Sequence, residues 1–92
     1  IADGLRVRVP GEQTWPVLQA NVDRVVLVND AAIRQAMQWA LSELRLVLEP
    51  SGAAALAAAL KESRGRCGVI ATGGNVDPAM LARIAQRAAS PC

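Results

Sequence analysis

Histidine, tyrosine and phenylalanine are absent from this chain of 92 residues, and Lys61 is its single lysine. Without histidine, the chain alone can build neither an imidazole metal centre nor a serine–histidine–aspartate triad. Its aromatic side chains are two tryptophans, Trp15 and Trp39. The core must therefore be filled by alanine and branched aliphatics at close approach, not by large rings. The two cysteines, Cys67 and Cys92, form neither a disulfide framework nor a zinc pattern. The alanine-rich run Gly52–Leu60 falls far short of the roughly 20 apolar residues that a bilayer span needs, and no secretory leader pattern is visible. Ten basic residues face eight acidic ones, for a net charge of +2. They are spread along the chain without a Lys/Arg block or interleaved aromatics, which argues against a nucleic-acid surface; Arg6, Arg8, Arg64 and Arg66 read as solvated. The reducing cytoplasm is the expected compartment.

What is present fits one small globular domain, 52% hydrophobic and 20% charged. The chain begins with Ile1 rather than methionine and is expected to be a piece of a longer protein. Leu5–Val9 alternates and reads as a short strand or extended loop ended by Pro10-Gly11. Thr14 opens a brief helix through Trp15, Val17 and Leu18 towards Asn21. Val25–Val28 is continuous and β-branched, the pattern of a strand buried on both faces. Asn29-Asp30 then caps a long amphipathic helix. Ile33, Ala36, Met37, Ala40, Leu41, Leu44 and Leu48 share one face of it over roughly four to five turns, and Pro50 stops it. A second helix starts at Glu49-Pro50-Ser51-Gly52 and runs through alanines to Leu60. Being apolar all round, it is expected at the centre of the fold, where alanine and Gly52 allow backbones to approach closely.

The stretch Cys67–Pro78 holds the rest together. Cys67–Ala71 reads as a short buried strand, Thr72 stands at its carboxyl end, and Gly73-Gly74 permits a sharp turn or close approach to another molecule. Asp77-Pro78 opens a closing helix to about Ala89, with Leu81, Ile84, Ala85 and Ala88 on its buried face. A strand, a glycine turn and a helix in succession form ligand sites in open α/β sheets, although a Gly-Gly-Asn turn alone is more often only a turn. Glu49, by spacing alone, is a helix cap.

Three motifs stand in order: Ile-Ala-Asp-Gly at Ile1–Gly4, Glu-Pro-Ser-Gly-Ala-Ala-Ala-Leu-Ala-Ala at Glu49–Ala58, and Thr-Gly-Gly-Asn-Val-Asp at Thr72–Asp77. With Thr14-Trp15-Pro16 and the pattern at Val22–Val26, they resemble the C-terminal part of the fold type II pyridoxal-phosphate threonine/serine dehydratases. That group includes serine racemases and hydroxyaspartate dehydratases, and the likeness covers essentially the whole chain. It implies an α/β architecture in which residues 1–92 are the late part of the larger catalytic domain, an open three-layer sandwich with short parallel strands and covering helices. It implies pyridoxal 5'-phosphate as cofactor and elimination from a hydroxy amino acid to give a 2-keto acid and ammonia.

By the same resemblance Gly4 lines the cofactor ring and Glu49 stands near the ring and the reacting amine. Thr72, where the family usually has serine, offers its hydroxyl to the pyridine nitrogen, and Gly73, Gly74 and Asn75 complete that loop. A neutral hydroxyl does not hold the nitrogen protonated as an aspartate would, so the ring is a weaker electron sink, suited to β-elimination. The family's Schiff-base lysine, phosphate loop and divalent-metal site are expected upstream. Lys61 is expected to be solvated, and the chain alone inactive, with no catalytic residue and no metal ligand of its own. Implied partners are the substrate and the remainder of the catalytic domain; the uncovered apolar strands also imply self-association. Serine racemase, hydroxyaspartate dehydratase and a cofactor-free remnant acting as an interaction module remain as alternatives.

Overall fold

In the computed structural model, which describes residues 1–6, 9–62 and 65–88, every regular element is helical. A 3-10 turn at Asp3–Leu5 precedes α1 (Thr14–Asn21), α2 (Asp30–Trp39) with a π-helical turn at Ala40–Leu44, α3 (Pro50–Glu62) and α4 (Pro78–Ala88). Helix starts follow the local signals. Asn29 caps α2, its side-chain oxygen accepting from the Ala32 N–H at 2.8 Å, and Asp30 in the first turn complements the helix dipole. Asp77 likewise accepts from the Ala79 N–H at 2.9 Å, and Pro78 takes the first position of α4.

The end of α2 departs from expectation. The spacing suggests one helix up to Pro50, but the chain widens into the π turn and stops at Arg45, which is left-handed at φ 56°. The Arg45 and Leu46 N–H groups both donate to the Ala40 carbonyl, Leu46 at 3.0 Å. A left-handed residue carrying such back-bonds ends a helix without glycine or proline. Leu44 is rotated out to solvent, while Leu48 is buried from a non-helical segment.

The core is one cluster: Ile33, Ala36, Met37 and Ala40 from α2 and its π turn, Leu48, Ala53, Leu56 and Ala57 at α3, and Ile84 of α4. α2 packs on α3 and α4, and α3 also meets the 3-10 turn. Small residues let α2 and α3 approach closely, as the scarcity of aromatics requires. Only one side of α3 is buried, however. Ala55, Ala58 and Ala59 on its other side floor a cleft of about 440 Å³, so the helix is less central than its composition suggests. In α4, Ile84 is buried while Leu81 and Ala85 are half-buried. α1 buries nothing.

The expected strands at Val25–Val28 and Cys67–Ala71 do not form; no strand occurs among the described residues. A strand exists only through hydrogen bonds to a neighbour, and these two segments line the same cleft over α3 rather than pairing. The parallel sheet and three-layer sandwich are thus not built within the described residues. The expected extended stretch Leu5–Val9 begins instead in the 3-10 turn; Val7 and Arg8 lie outside the described residues, as do Arg64, Ala89 and Cys92. The solvent-accessible surface is 7150 Å², against roughly 5100 Å² for a compact monomer of this mass. The radius of gyration is 14.4 Å, against about 12 Å for a compact domain of this length. Both excesses reflect apolar chain that finds no cover.

Candidate functional site

Three stretches distant in sequence meet at the first turn of α3. Glu49 begins it: its carbonyl accepts from the Ala53 N–H at 3.1 Å, and its own N–H donates to the Gly73 carbonyl at 3.0 Å. Gly73 is left-handed at φ 79°, and a Cβ there would run into the Glu49 carboxylate, Oε1 first. The carboxylate thus lies over bare backbone, a packing that glycine permits. Gly52 makes the converse fit. It is buried, and the space its Cβ would need is taken by the Thr72 carbonyl oxygen. The Thr72 N–H in turn donates to the Gly52 carbonyl at 3.4 Å.

The third stretch is the 3-10 turn. The Gly4 N–H donates to Ser51 Oγ at 2.9 Å, a bond that spans 47 residues of sequence. Beside it opens a cleft of about 450 Å³ whose lining includes Gly4, Glu49, Ser51, Asn75, Asp77 and Met80. Asp3 adds a further carboxylate, and no lysine or arginine lines the cleft among the described residues. Asp3 also pairs with Arg6 at 3.5 Å and Asp77 caps α4, but the acidic lining still favours a cationic amine over a phosphate.

Of the residues singled out from sequence, Gly4, Glu49 and Asn75 line the cleft. Gly73 lies beneath Glu49, and Thr72 seats on Gly52 without joining the lining. Gly74 backs onto the Val47 carbonyl, and its own carbonyl accepts from the Val76 N–H at 2.9 Å, the tight turn that leads into α4. Sequence reasoning expected Gly52 to allow close backbone approach without naming its partner, and assigned no part to Ser51. The signal was there for Gly52, a glycine in an otherwise alanine-rich helix; nothing local betrays the partner of Ser51. Lys61 is exposed in the last turn of α3, about 18 Å from Glu49 along the helix axis. No cluster of three or more His, Cys, Asp or Glu among the described residues could hold a metal ion, and no described helix is long and apolar enough to cross a membrane.

A family model described as "Pyridoxal-phosphate dependent enzyme" matches residues 1–75. The chain belongs to this family. Relatives similar to it include a serine racemase from Oryza sativa subsp. indica, 42% identical over 90 residues, covering 88% of this chain and 26% of the relative. An L-threo-3-hydroxyaspartate ammonia-lyase from Pseudomonas sp. is 41% identical, covering 84% of this chain and 25% of the relative. An L-threonine ammonia-lyase from Thermotoga maritima is 34% identical, covering 91% and 22%. The chain thus spans about a quarter of the length of the curated relatives it matches. No solved structure matches it. The family is α/β, of fold type II, and depends on pyridoxal phosphate. The residues at the cleft fit the ring end of that cofactor through the Gly4 backbone, the Glu49 carboxylate and Asn75 in its lining, with Thr72 on the adjoining loop. They do not fit its phosphate end, for which the lining offers carboxylates and, among the described residues, no lysine or arginine side chain.

Proposed function

We propose that this chain forms the pyridine-ring side of the cofactor site in an ammonia-lyase that takes threonine or serine to a 2-keto acid and ammonia. One observation carries the reading: the Gly4 backbone, the Glu49 carboxylate and the Thr72–Asn75 loop all converge on the first turn of α3. When bound, pyridoxal phosphate supplies an electron sink for bonds at the substrate α-carbon. Thr72 offers the ring nitrogen a neutral hydroxyl and leaves it unprotonated. Glu49 accepts hydrogen bonds from the substrate amine, a charge-assisted contact that orients the amino group. Gly73 and Gly74, bare of side chains, let the loop close against the Glu49 carboxylate and the Val47 carbonyl, which holds Thr72 and Asn75 beside the first turn of α3.

The phosphate, the Schiff-base lysine and the substrate carboxylate are held by the remainder of the catalytic domain, so the chain by itself is inactive. With neighbouring strands supplied, Val25–Val28 and Cys67–Ala71 become parallel strands of an open sandwich in a cytoplasmic enzyme.

A racemase reading has its own support, because the serine racemase match at 42% identity exceeds the threonine ammonia-lyase match at 34%. The test uses the full polypeptide carrying this segment. L-threonine and L-serine are supplied, with 2-keto acid and ammonia measured against D-serine; ammonia release supports the lyase, D-serine without it the racemase. Thr72→Ala is expected to lower kcat about tenfold, the worth of one such hydrogen bond, and to alter the bound cofactor's absorbance. Thr72→Ser stays near the parent, and Thr72→Val, alike in shape but lacking the hydroxyl, follows alanine. An alanine variant with unchanged turnover and spectrum refutes the assignment of Thr72.

A further inference from the structure

We propose that Ser51 and Gly52 are positioning residues that set the spacing between the Gly4 backbone, which is to line the cofactor ring, and Thr72, whose hydroxyl is to meet the ring nitrogen. The proposal rests on the reading of Thr72 given above. α3 is alanine-rich over Ala53–Ala55 and Ala57–Ala59, and alanine is the residue that a helix interior prefers. Glycine costs about 1 kcal/mol relative to it. The one glycine in this helix stands where the Thr72 carbonyl fills the space a methyl would occupy. That neighbour is backbone, which cannot swing aside as the end of a long side chain could. Thr72 and Gly73 are therefore seated on the helix by shape as well as by the Thr72-to-Gly52 and Glu49-to-Gly73 hydrogen bonds.

Ser51 does the matching work at Gly4. A serine early in a helix commonly bonds to its own first turn, but this hydroxyl accepts from the Gly4 N–H. Two adjacent residues on one rigid turn thus hold two segments that share no sequence neighbourhood. A shift of either segment changes the gap between them.

The experiment is made on the full polypeptide carrying this segment, with cofactor affinity of the apo-protein, absorbance of the bound cofactor and kcat as readouts. Gly52→Ala is expected to move Thr72 off the helix, to shift the cofactor band and to lower kcat about 100-fold, the usual effect of misplacement by roughly 1 Å. Ser51→Ala is expected to weaken cofactor binding about fivefold, as loss of one hydrogen bond does, while Ser51→Thr keeps the hydroxyl and the affinity. Lys61→Ala is the control, since that side chain is exposed in the last turn of α3, about 18 Å from Glu49; it leaves all three readouts unchanged.

Thr72→Ala separates the two ways of being wrong. If it leaves the cofactor band unmoved, the reading of Thr72 fails. If it moves the band while a folded Gly52→Ala does not, the positioning proposal fails and the reading of Thr72 stands. Should Gly52→Ala not fold, the serine pair decides: alanine and threonine variants with the same affinity and spectrum overturn the proposal, and a loss restored by threonine supports it.

Discussion

Ala53 and Ala57 of α3 are 0% and 2% exposed, whereas Val25, Leu27 and Ile70 in the extended segments beside it are 83%, 87% and 79% exposed. The larger and more hydrophobic side chains are the ones left in water. A helix closes its backbone hydrogen bonds within itself, so α2 and α3 need only each other to bury an apolar face. An extended segment leaves its N–H and C=O groups to a neighbour, and without one its side chains gain no second layer. Burial here is decided by where the backbone's partners lie more than by how apolar a residue is.

That contrast is broken most directly by paired truncations. Ile33→Ala removes a buried side chain from the α2–α3–α4 cluster and is expected to cost about 3 kcal/mol of folding free energy, measured by urea denaturation. Leu27→Ala, though also a truncated aliphatic, is expected to cost under about 0.5 kcal/mol at a concentration where the chain is monomeric, as exposed positions do. Equal losses at the two sites would mean that the extended segment is covered in solution.

A smaller effect sharpens the helical side. Asn29→Ala deletes the side-chain cap of α2 and is expected to cost about 1 kcal/mol, while Asn29→Asp keeps an acceptor and most of the stability. Native-state hydrogen exchange reads this locally: the first-turn amides of α2 lose protection before those of α3.

The smallest change in folding energy carries the clearest change in assembly. Bare apolar patches of a few hundred Å² usually find a partner, so the chain is expected to self-associate at micromolar concentration. Leu27→Lys, placing a charge on the uncovered segment, is expected to shift sedimentation to a single monomeric species with little change in the midpoint of unfolding. A parent chain that already sediments as one monomer with a cooperative melt removes the basis for this prediction.

What the sequence disclosed follows the same division. Asn29, Pro50 and Asp77-Pro78 act within a few residues of themselves, and the helix starts they announce are the ones observed. The strands at Val25–Val28 and Cys67–Ala71 were read from apolar runs whose fulfilment needs a distant partner, which sequence pattern does not supply. Leu44 was assigned to a buried face by 3.6-residue spacing, and the π turn, with no glycine or proline to mark it, rotates it out. At the site, Glu49, Gly4 and Asn75 were found by resemblance and do share a cleft. Ser51 was passed over, and the close approach expected at Gly52 had no named partner, because the partners lie 47 and 20 positions away, beyond any local rule.

The π turn at Ala40–Leu44 also bears on how this chain tolerates changes in length. Such a turn holds more residues than the α turn it replaces, and here it sits at a helix end, followed by a left-handed residue and a non-helical segment that reaches Glu49. Slack of this kind absorbs a deletion. Removing one residue between Leu41 and Glu43 leaves a regular α turn, and the segment from Arg45 to Leu48 can take up the shift before the interlocked turn at Glu49 feels it. The same deletion inside α3 has no such reserve, because every residue after it would rotate about 100° and Gly52 or the alanine face would lose its neighbours. Natural variation in length is thus to be sought at the end of α2, and constancy of length from Glu49 onward to the end of α3.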